Sequence, residues 1–111
     1  MDTLAAAEGF AALGNTTRLD LFRFLVRCGS DGATVGTIKS HLDIPASTLA
    51  HHLSILCRAG LVSQERQGRE VISRPAFDHV EALSAFLLED CCKGPDGISE
   101  TPRRAPMDDV A

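Results

Sequence analysis

Pro45 limits what this chain can become more than any other residue. It sits inside the stretch from Thr34 to Val62, TVGTIKSHLDIPASTLAHHLSILCRAGLV. Proline fixes its own φ and pushes Ile44 out of the helical region, so any helix arriving from the N-terminal side must stop at Asp43-Ile44-Pro45. Upstream, Val35, Ile38 and Leu42 recur at helical spacing behind Thr34, a residue suited to capping a helix start. Downstream, Pro45 is well placed to open a second helix, because its missing N–H costs nothing there. That helix carries Leu49, Leu53, Leu56 and Ala59 on one face, and Gly60 supplies its end. Its opposite face is Ala46, Ser47, Ala50, His51 and Ser54, small and polar.

A short support helix, a sharp turn and a longer helix with a small polar outer face make a helix-turn-helix pattern. Leu61-Val62-Ser63 and Val71-Ile72-Ser73 then form two β-prone runs around Glu65-Arg66-Gln67-Gly68-Arg69-Glu70. With Gly68 as turn residue, these predict a hairpin with a basic tip, a wing. On the strings FAALGNTTRLDLFRFL (Phe10 to Leu25), STLAHHLSILCRAGLV (Ser47 to Val62) and the Gly68-Arg69 wing, the chain resembles the ArsR-type family of winged-helix transcriptional regulators. The resemblance spans about residues 5 to 92. It implies a mainly α fold with a β-hairpin wing, and a homodimer joined through terminal helices.

The 111 residues suffice for one domain with a modest core. With no Trp or Tyr and five Phe, that core must be Leu, Val, Ile and Ala. No apolar run approaches a membrane span and MDTLAAAEGF lacks a basic leader, so a cytoplasmic protein without membrane contact is expected. Cys28, Cys57, Cys91 and Cys92 form no CxxC framework and are expected as thiols. The net charge of −4 argues against a nucleic-acid partner, but its distribution softens the objection. Between Thr34 and Arg74, five bases (Lys39, Arg58, Arg66, Arg69, Arg74) face three acids (Asp43, Glu65, Glu70), leaving +2 besides His41, His51 and His52. A locally basic face on an acidic protein can still hold phosphates, with strongly salt-sensitive affinity. No nucleophile–base spacing, Gly-rich phosphate loop or HExxH occurs, which points away from an enzyme. A winged helix can also act as a pure protein-interaction adaptor, and binding to a short palindromic duplex separates that use from DNA reading.

Along the chain, residues 3 to 13 read as a first helix with Leu4, Phe10 and Leu13, broken by Gly14. Asn15 caps a second, Thr16 to about Arg27, where family members often have Asp-Pro. Leu19, Leu21, Phe22, Phe24, Leu25 and Val26 cover so much of its circumference that it reads as a central pillar buried on several sides. Cys28 to Gly32 reads as a loop. Residues 76 to 90 form a last helix striped with Phe77, Val80, Leu83, Phe86 and Leu87. So small a domain cannot easily bury this stripe and that of the first helix together; they fold back on one chain or pair across a two-fold axis, and the resemblance favours the dimer. The domain is taken as residues 1–92. Residues 93–111, with Pro95, Gly97, Pro102 and Pro106 among charges, read as a disordered tail.

The second helix of the pair is the expected reader of double-stranded DNA, in an inverted-repeat operator. Ser47 and Thr48 can bond base edges or phosphates, Ala46 or Ala50 can touch thymine methyls, and His51 can reach an edge or a phosphate. Without a bidentate Arg, Asn or Gln, specificity should be moderate and partly shape-based. Arg66 and Arg69 should contact phosphate or enter the minor groove, and Lys39 should hold backbone. His52, beside Leu53, reads as a packed structural residue.

Glu89-Asp90-Cys91-Cys92-Lys93-Gly94 closes the last helix with two adjacent thiols. An adjacent pair makes an awkward disulfide but can chelate one thiophilic centre. Lys93 should favour the thiolates; Glu89 and Asp90 oppose that. Within the family resemblance the pair implies a repressor released by trivalent arsenic or antimony, or by methylarsenite needing only two sulfurs. No cofactor is expected in the DNA-bound state. The support-helix CxC of some arsenic sensors is absent here. Cys57 is the first candidate for a third ligand, and without one the site should favour methylarsenite. Asp78, His79, Glu89 and Asp90 leave a zinc site a distant alternative. A dithiol redox or reactive-sulfur sensor, using Cys28 or Cys57 with Cys91, is nearer.

Overall fold

A computed structural model describes residues 1–96. Helix α1 spans Thr3–Leu13 and α2 spans Thr16–Cys28; a 3-10 turn, Gly29–Asp31, leads into a two-residue strand β1, Ala33–Thr34. Helices α3 (Val35–Leu42) and α4 (Ala46–Arg58) follow, then strands β2 (Val62–Gln67) and β3 (Glu70–Pro75), and α5 (Phe77–Leu88).

Several helix boundaries fall where side chains or left-handed residues satisfy the orphan backbone groups. Asp2 Oδ1 accepts from the Ala5 amide at 2.7 Å, Asn15 Oδ1 from Arg18 at 3.0 Å, and Thr34 Oγ1 from Thr37 at 3.1 Å. Asp43, at φ 53°, ends α3 and its amide donates to Lys39 O. Pro45 stands one residue outside α4, as its N-cap, rather than inside the first turn. At the other end Gly60 takes φ 80°, its amide donates to Cys57 O, and the Leu61 amide reaches back to Leu56 O. Those two bonds, with Leu56 and Leu61 both fully buried, are a Schellman close.

The hairpin forms as expected, through a two-residue turn with Gly68 at φ 64° followed by Arg69. A third strand joins it: β1 pairs with β3, giving the antiparallel order β1-β3-β2. The loop expected over Cys28 to Gly32 therefore runs straight into the sheet. The register puts Val62/Pro75, Gln64/Ser73 and Arg66/Val71 on one face, and Ser63/Arg74, Glu65/Ile72 and Gln67/Glu70 on the other.

The core joins Leu21, Phe22 and Leu25 of α2 to Ile38, Leu49, Leu53, Leu56, Leu61, Val62 and Leu83. Helix α2 is buried on fewer sides than its composition suggests: Leu19 and Val26 are exposed, because α1, α3, α4 and β3 cover its other flanks and no described residue covers that edge. Helix α1 buries its small residues, Ala6, Gly9 and Ala12. At Gly9, α5 approaches so closely that a Cβ would lie 2.8 Å from Leu83 Cδ1. The terminal helices thus do meet within one chain, yet Leu4 (69 %), Leu87 (66 %) and Leu88 (72 %) stay exposed. Helix α5 stops at Leu88, two residues short of its expected end. The expected tail lies, from residue 97 onward, outside the described residues. No described helix is long and apolar enough to cross a membrane.

Gly32 sits at φ 69° with the Ser73 carbonyl 2.5 Å from where a Cβ would stand, whereas Gly68 at φ 64° faces open space. Urea denaturation should show Gly32→Ala losing more than about 2 kcal/mol and Gly68→Ala only about 1 kcal/mol, the cost of the backbone conformation alone. Equal losses would mean the β1–β3 seam is looser than this geometry requires.

Candidate nucleic-acid interface

The outer face of α4 is as open as its composition requires. Ala46, Ser47, Ala50, His51 and Ser54 are exposed, while Leu49, His52, Leu53 and Leu56 are buried. Thr48 is half-buried, so of the expected base-edge residues it is the least available. No side chain caps the start of α4, because Pro45 stands there. The first amides of the helix are therefore left for an outside acceptor, and a helix N-terminus favours an anion.

The wing lies beside this face. Val35, Ala50, Leu53, Ser54, Cys57, Arg58, Gln64 and Val71 line a groove of about 380 Å³ between α4 and the sheet. Arg66, paired with Val71, shares the groove-side face of the hairpin, and Arg69 occupies the turn. Lys39, Arg66 and Arg69 are all exposed and make no ion pair among the described residues. Arg74, counted with them on sequence, is spent internally. Its Nη1 meets Glu65 Oε1 at 2.9 Å and its Nε donates to Ser30 O at 3.0 Å. A hydrogen bond from Gln67 and then the Arg74 guanidinium hold the Glu65 carboxyl below its usual range. The net positive charge offered to a partner is carried by the other residues.

Two histidines are committed to the fold. His41 stacks on Phe24 with ring centroids 4.2 Å apart, and its Nε2 lies 3.4 Å from Arg27 Nη2. His52, as expected, is a packed residue: its Nδ1 lies 3.3 Å from Arg18 Nη1. The Arg18 Nε also donates to Ala12 O, at 2.6 Å. Nothing in the spacing of Arg18, 34 positions from His52, marks this contact in the sequence.

The thiols separate into two environments. Beyond α5 the Cys91 amide donates to Leu88 O and the Lys93 amide to Asp90 O. Asp90 (φ 61°) and Cys92 (φ 64°) are both left-handed. These turns bring Cys91 Sγ within 3.1 Å of Cys92 Sγ, and both residues are exposed. The Lys93 ammonium beside them is held by Asp90 Oδ1 at 2.9 Å. Cys57 is elsewhere, half-buried in the groove under the wing, where burial pushes its thiol pKa up. The fold does not bring it to the Cys91–Cys92 pair within one chain: no group of three His, Cys, Asp or Glu side chains able to hold a metal occurs among the described residues. Asp78, His79, Glu89 and Asp90 form none either, and His79 Nε2 is buried without a hydrogen-bond partner there.

The helix-turn-helix domain family matches residues 13–65. An HTH-type transcriptional regulator of Methanocaldococcus jannaschii is 41% identical over 63 residues, 57% of this chain and 68% of that protein. An ArsR-like transcriptional regulator from Rhodococcus sp. RHA1 is similar with a TM-score of 0.64 and 28% identity, over 78% of this chain and 77% of that one. The chain belongs to the HTH-type transcriptional regulators. It is a DNA-binding regulator and not an enzyme. The fold of this HTH-type regulator is also that of a homodimeric winged helix-turn-helix DNA-binding domain from Mycobacterium bovis, 23% identical, with a TM-score of 0.63 over 77% of each chain.

Burial first, then the charge of Arg18, then that of His51 lower the pKa of His52 from the usual 6.5. The unfolded chain consequently binds this proton more readily than the folded one. The stabilising effect of a neutral His52 is complete above about pH 6.5 and is lost as the pH falls through the lower, folded value. Between about pH 7.5 and pH 5 the urea midpoint of the wild type should fall further than that of His52→Gln. Parallel midpoints would show that His52 does not fold as the neutral base.

Proposed function

We propose that this chain is a homodimeric repressor that reads an inverted repeat with α4 and the wing. It leaves the DNA when Cys91 and Cys92 capture trivalent arsenic or antimony, or methylarsenite. The observation that carries the inducer half is the pair of sulfurs 3.1 Å apart on an exposed turn directly after α5. Two thiols so close can both bond one soft centre. Each new As–S bond replaces an As–O bond, and the thiol proton leaves with the hydroxide as water. With Cys57 remote, two sulfurs are what one chain offers, which suits methylarsenite better than arsenite.

What α1 and α5 leave uncovered supports the dimer. Leu87 and Leu88 are mostly exposed and immediately precede the thiol turn, and Leu4 is exposed on α1. A second copy packed on these residues would hide them, and the Mycobacterium bovis relative is described as homodimeric. An inducer seated at Cys91 and Cys92 then lies at the edge of the dimer contact and can favour a geometry whose α4 helices no longer match half-sites one helical turn apart. Allosteric couplings are commonly about 1–3 kcal/mol, whereas moving an equilibrium from 1:99 to 99:1 takes about 5.5 kcal/mol. Strong release therefore calls for inducer on both subunits.

On DNA, the uncapped start of α4 takes a phosphate, Ser47, Ala46, Ala50 and His51 face the major groove, and Thr48 reaches only phosphate. Lys39, Arg66 and Arg69 hold backbone or the minor groove.

Two experiments test this reading. Arg69→Ala should weaken DNA binding and reduce the slope of log K against log salt by about 1, while Arg74→Ala should leave that slope unchanged. The opposite ranking would move the wing contact to the Glu65 side of the hairpin. Separately, Cys91→Ser/Cys92→Ser should bind DNA normally and no longer be released by arsenite, methylarsenite or antimonite. Release of the wild type by peroxide alone would make the pair a redox switch, and release by zinc alone would discard it.

A further inference from the structure

Arg18 occupies an unusual position for a charged residue: it touches three helices. Its own helix is α2. Its Nε caps Ala12 O, one of the last carbonyls of α1, at 2.6 Å. Its Nη1 meets Nδ1 of His52, in the buried middle of α4, at 3.3 Å. A guanidinium can only donate, so His52 must accept at Nδ1 and carry its proton on Nε2. The contact exists only for neutral His52. A second proton would turn Nδ1 into a donor facing a permanent cation, and the two would repel.

We propose that Arg18 is a positioning residue that fastens the DNA-reading helix to the C-terminal end of α1 through neutral His52, so that protonating His52 unfastens α4 and weakens DNA binding. This rests on α4 being the reading helix. The charged or titratable groups facing His52 are Arg18 from α2 and His51 on α4 itself. Glu8 of α1 and Arg58 of α4 stand with Arg18 around an open groove of about 380 Å³ floored by Ala11, Ala12, Ile55 and Ala59. Only Glu8 among these could favour the protonated form, and it makes no hydrogen bond or ion pair with Arg18 or Arg58 among the described residues. The desolvated, cation-flanked site keeps His52 neutral near pH 7 and lets acid open it. Because α1 also carries the exposed Leu4, the same guanidinium joins an outward-facing helix to the reading one.

The test compares DNA affinity across pH for wild type, His52→Gln and Arg18→Met, on a duplex retained by the wild type at high pH. Gln keeps a neutral acceptor that acid does not change. Other effects of pH on the phosphate contacts are common to all three proteins, so the informative quantity is the ratio of each variant's Kd to that of the wild type. On going from about pH 8 to about pH 5.5 the wild type should lose at least about tenfold relative to His52→Gln, while Arg18→Met should be weak throughout and lack that extra loss. A ratio that stays constant with pH overturns the proposal. Should the variants fail to fold, 15N shifts of the wild-type imidazoles decide it. A neutral Nε2–H tautomer at pH 7.5, whose titration moves amides at the end of α1 and in α4 together, supports the latch. A His52 protonated at Nδ1 at that pH overturns it. If no duplex is retained at all, the DNA-reading assignment fails, and the imidazole titration still judges the contact.

Discussion

A DNA-reading helix has to be held firmly along one side while the other stays small enough to enter a groove, and α4 meets both demands within 13 residues. Leu49, Leu53 and Leu56 are each almost wholly withdrawn from water. Burying such side chains contributes about 1.5–3 kcal/mol apiece, and the three together outweigh the charged hydrogen bond that His52 accepts from Arg18. Pro45 and the Schellman close at Gly60 set the two ends of the helix, so its length is not adjustable. The rest of the chain can be understood as support for that position. Helix α2 and Ile38 of α3 pack beneath the buried face, and the hairpin continues directly from the close at Leu61.

Much of this was legible in the sequence because its causes are local. Asn15, Thr34, Pro45, Gly60 and Gly68 act within a few residues of themselves, and each ends or starts an element within a residue of where the chain says it should. What escaped was tertiary. Strand β1 is two residues long, too short for any periodicity, and exists only because Ser73 and Ile72 lie opposite. The Arg74–Glu65 pair and the Arg18–His52 contact join residues whose partners are chosen by the fold rather than by spacing. Composition misled for α2, because an apolar circumference does not say which side neighbours will cover. The open side of α4 was readable from its small residues, except at Thr48, whose partial burial depends on how the helix is rolled onto the core.

The candidate inducer site has a different logic. Cys91 and Cys92 sit where regular structure has just ended, on two left-handed residues, with Lys93 tied to Asp90 beside them. Their closeness comes from adjacency and the turn, not from a packed pocket. By contrast Cys57, half-buried and with its thiol pKa raised, is a poor nucleophile despite its central location. Exposure separates the two candidate inducer thiols from Cys57.

The hairpin's register carries a consequence for how the interface could vary. Arg66 shares its face with Val71 and Ser73, turned to the groove beside α4, while Glu65 looks the other way. Because successive residues of a strand alternate sides, inserting one amino acid between Val62 and Glu65 would exchange those two, presenting an acid toward the groove and turning a base away from it. A single insertion in this part of β2 thus reverses the charge offered to the groove unless a bulge absorbs it, whereas insertions in pairs preserve its sign.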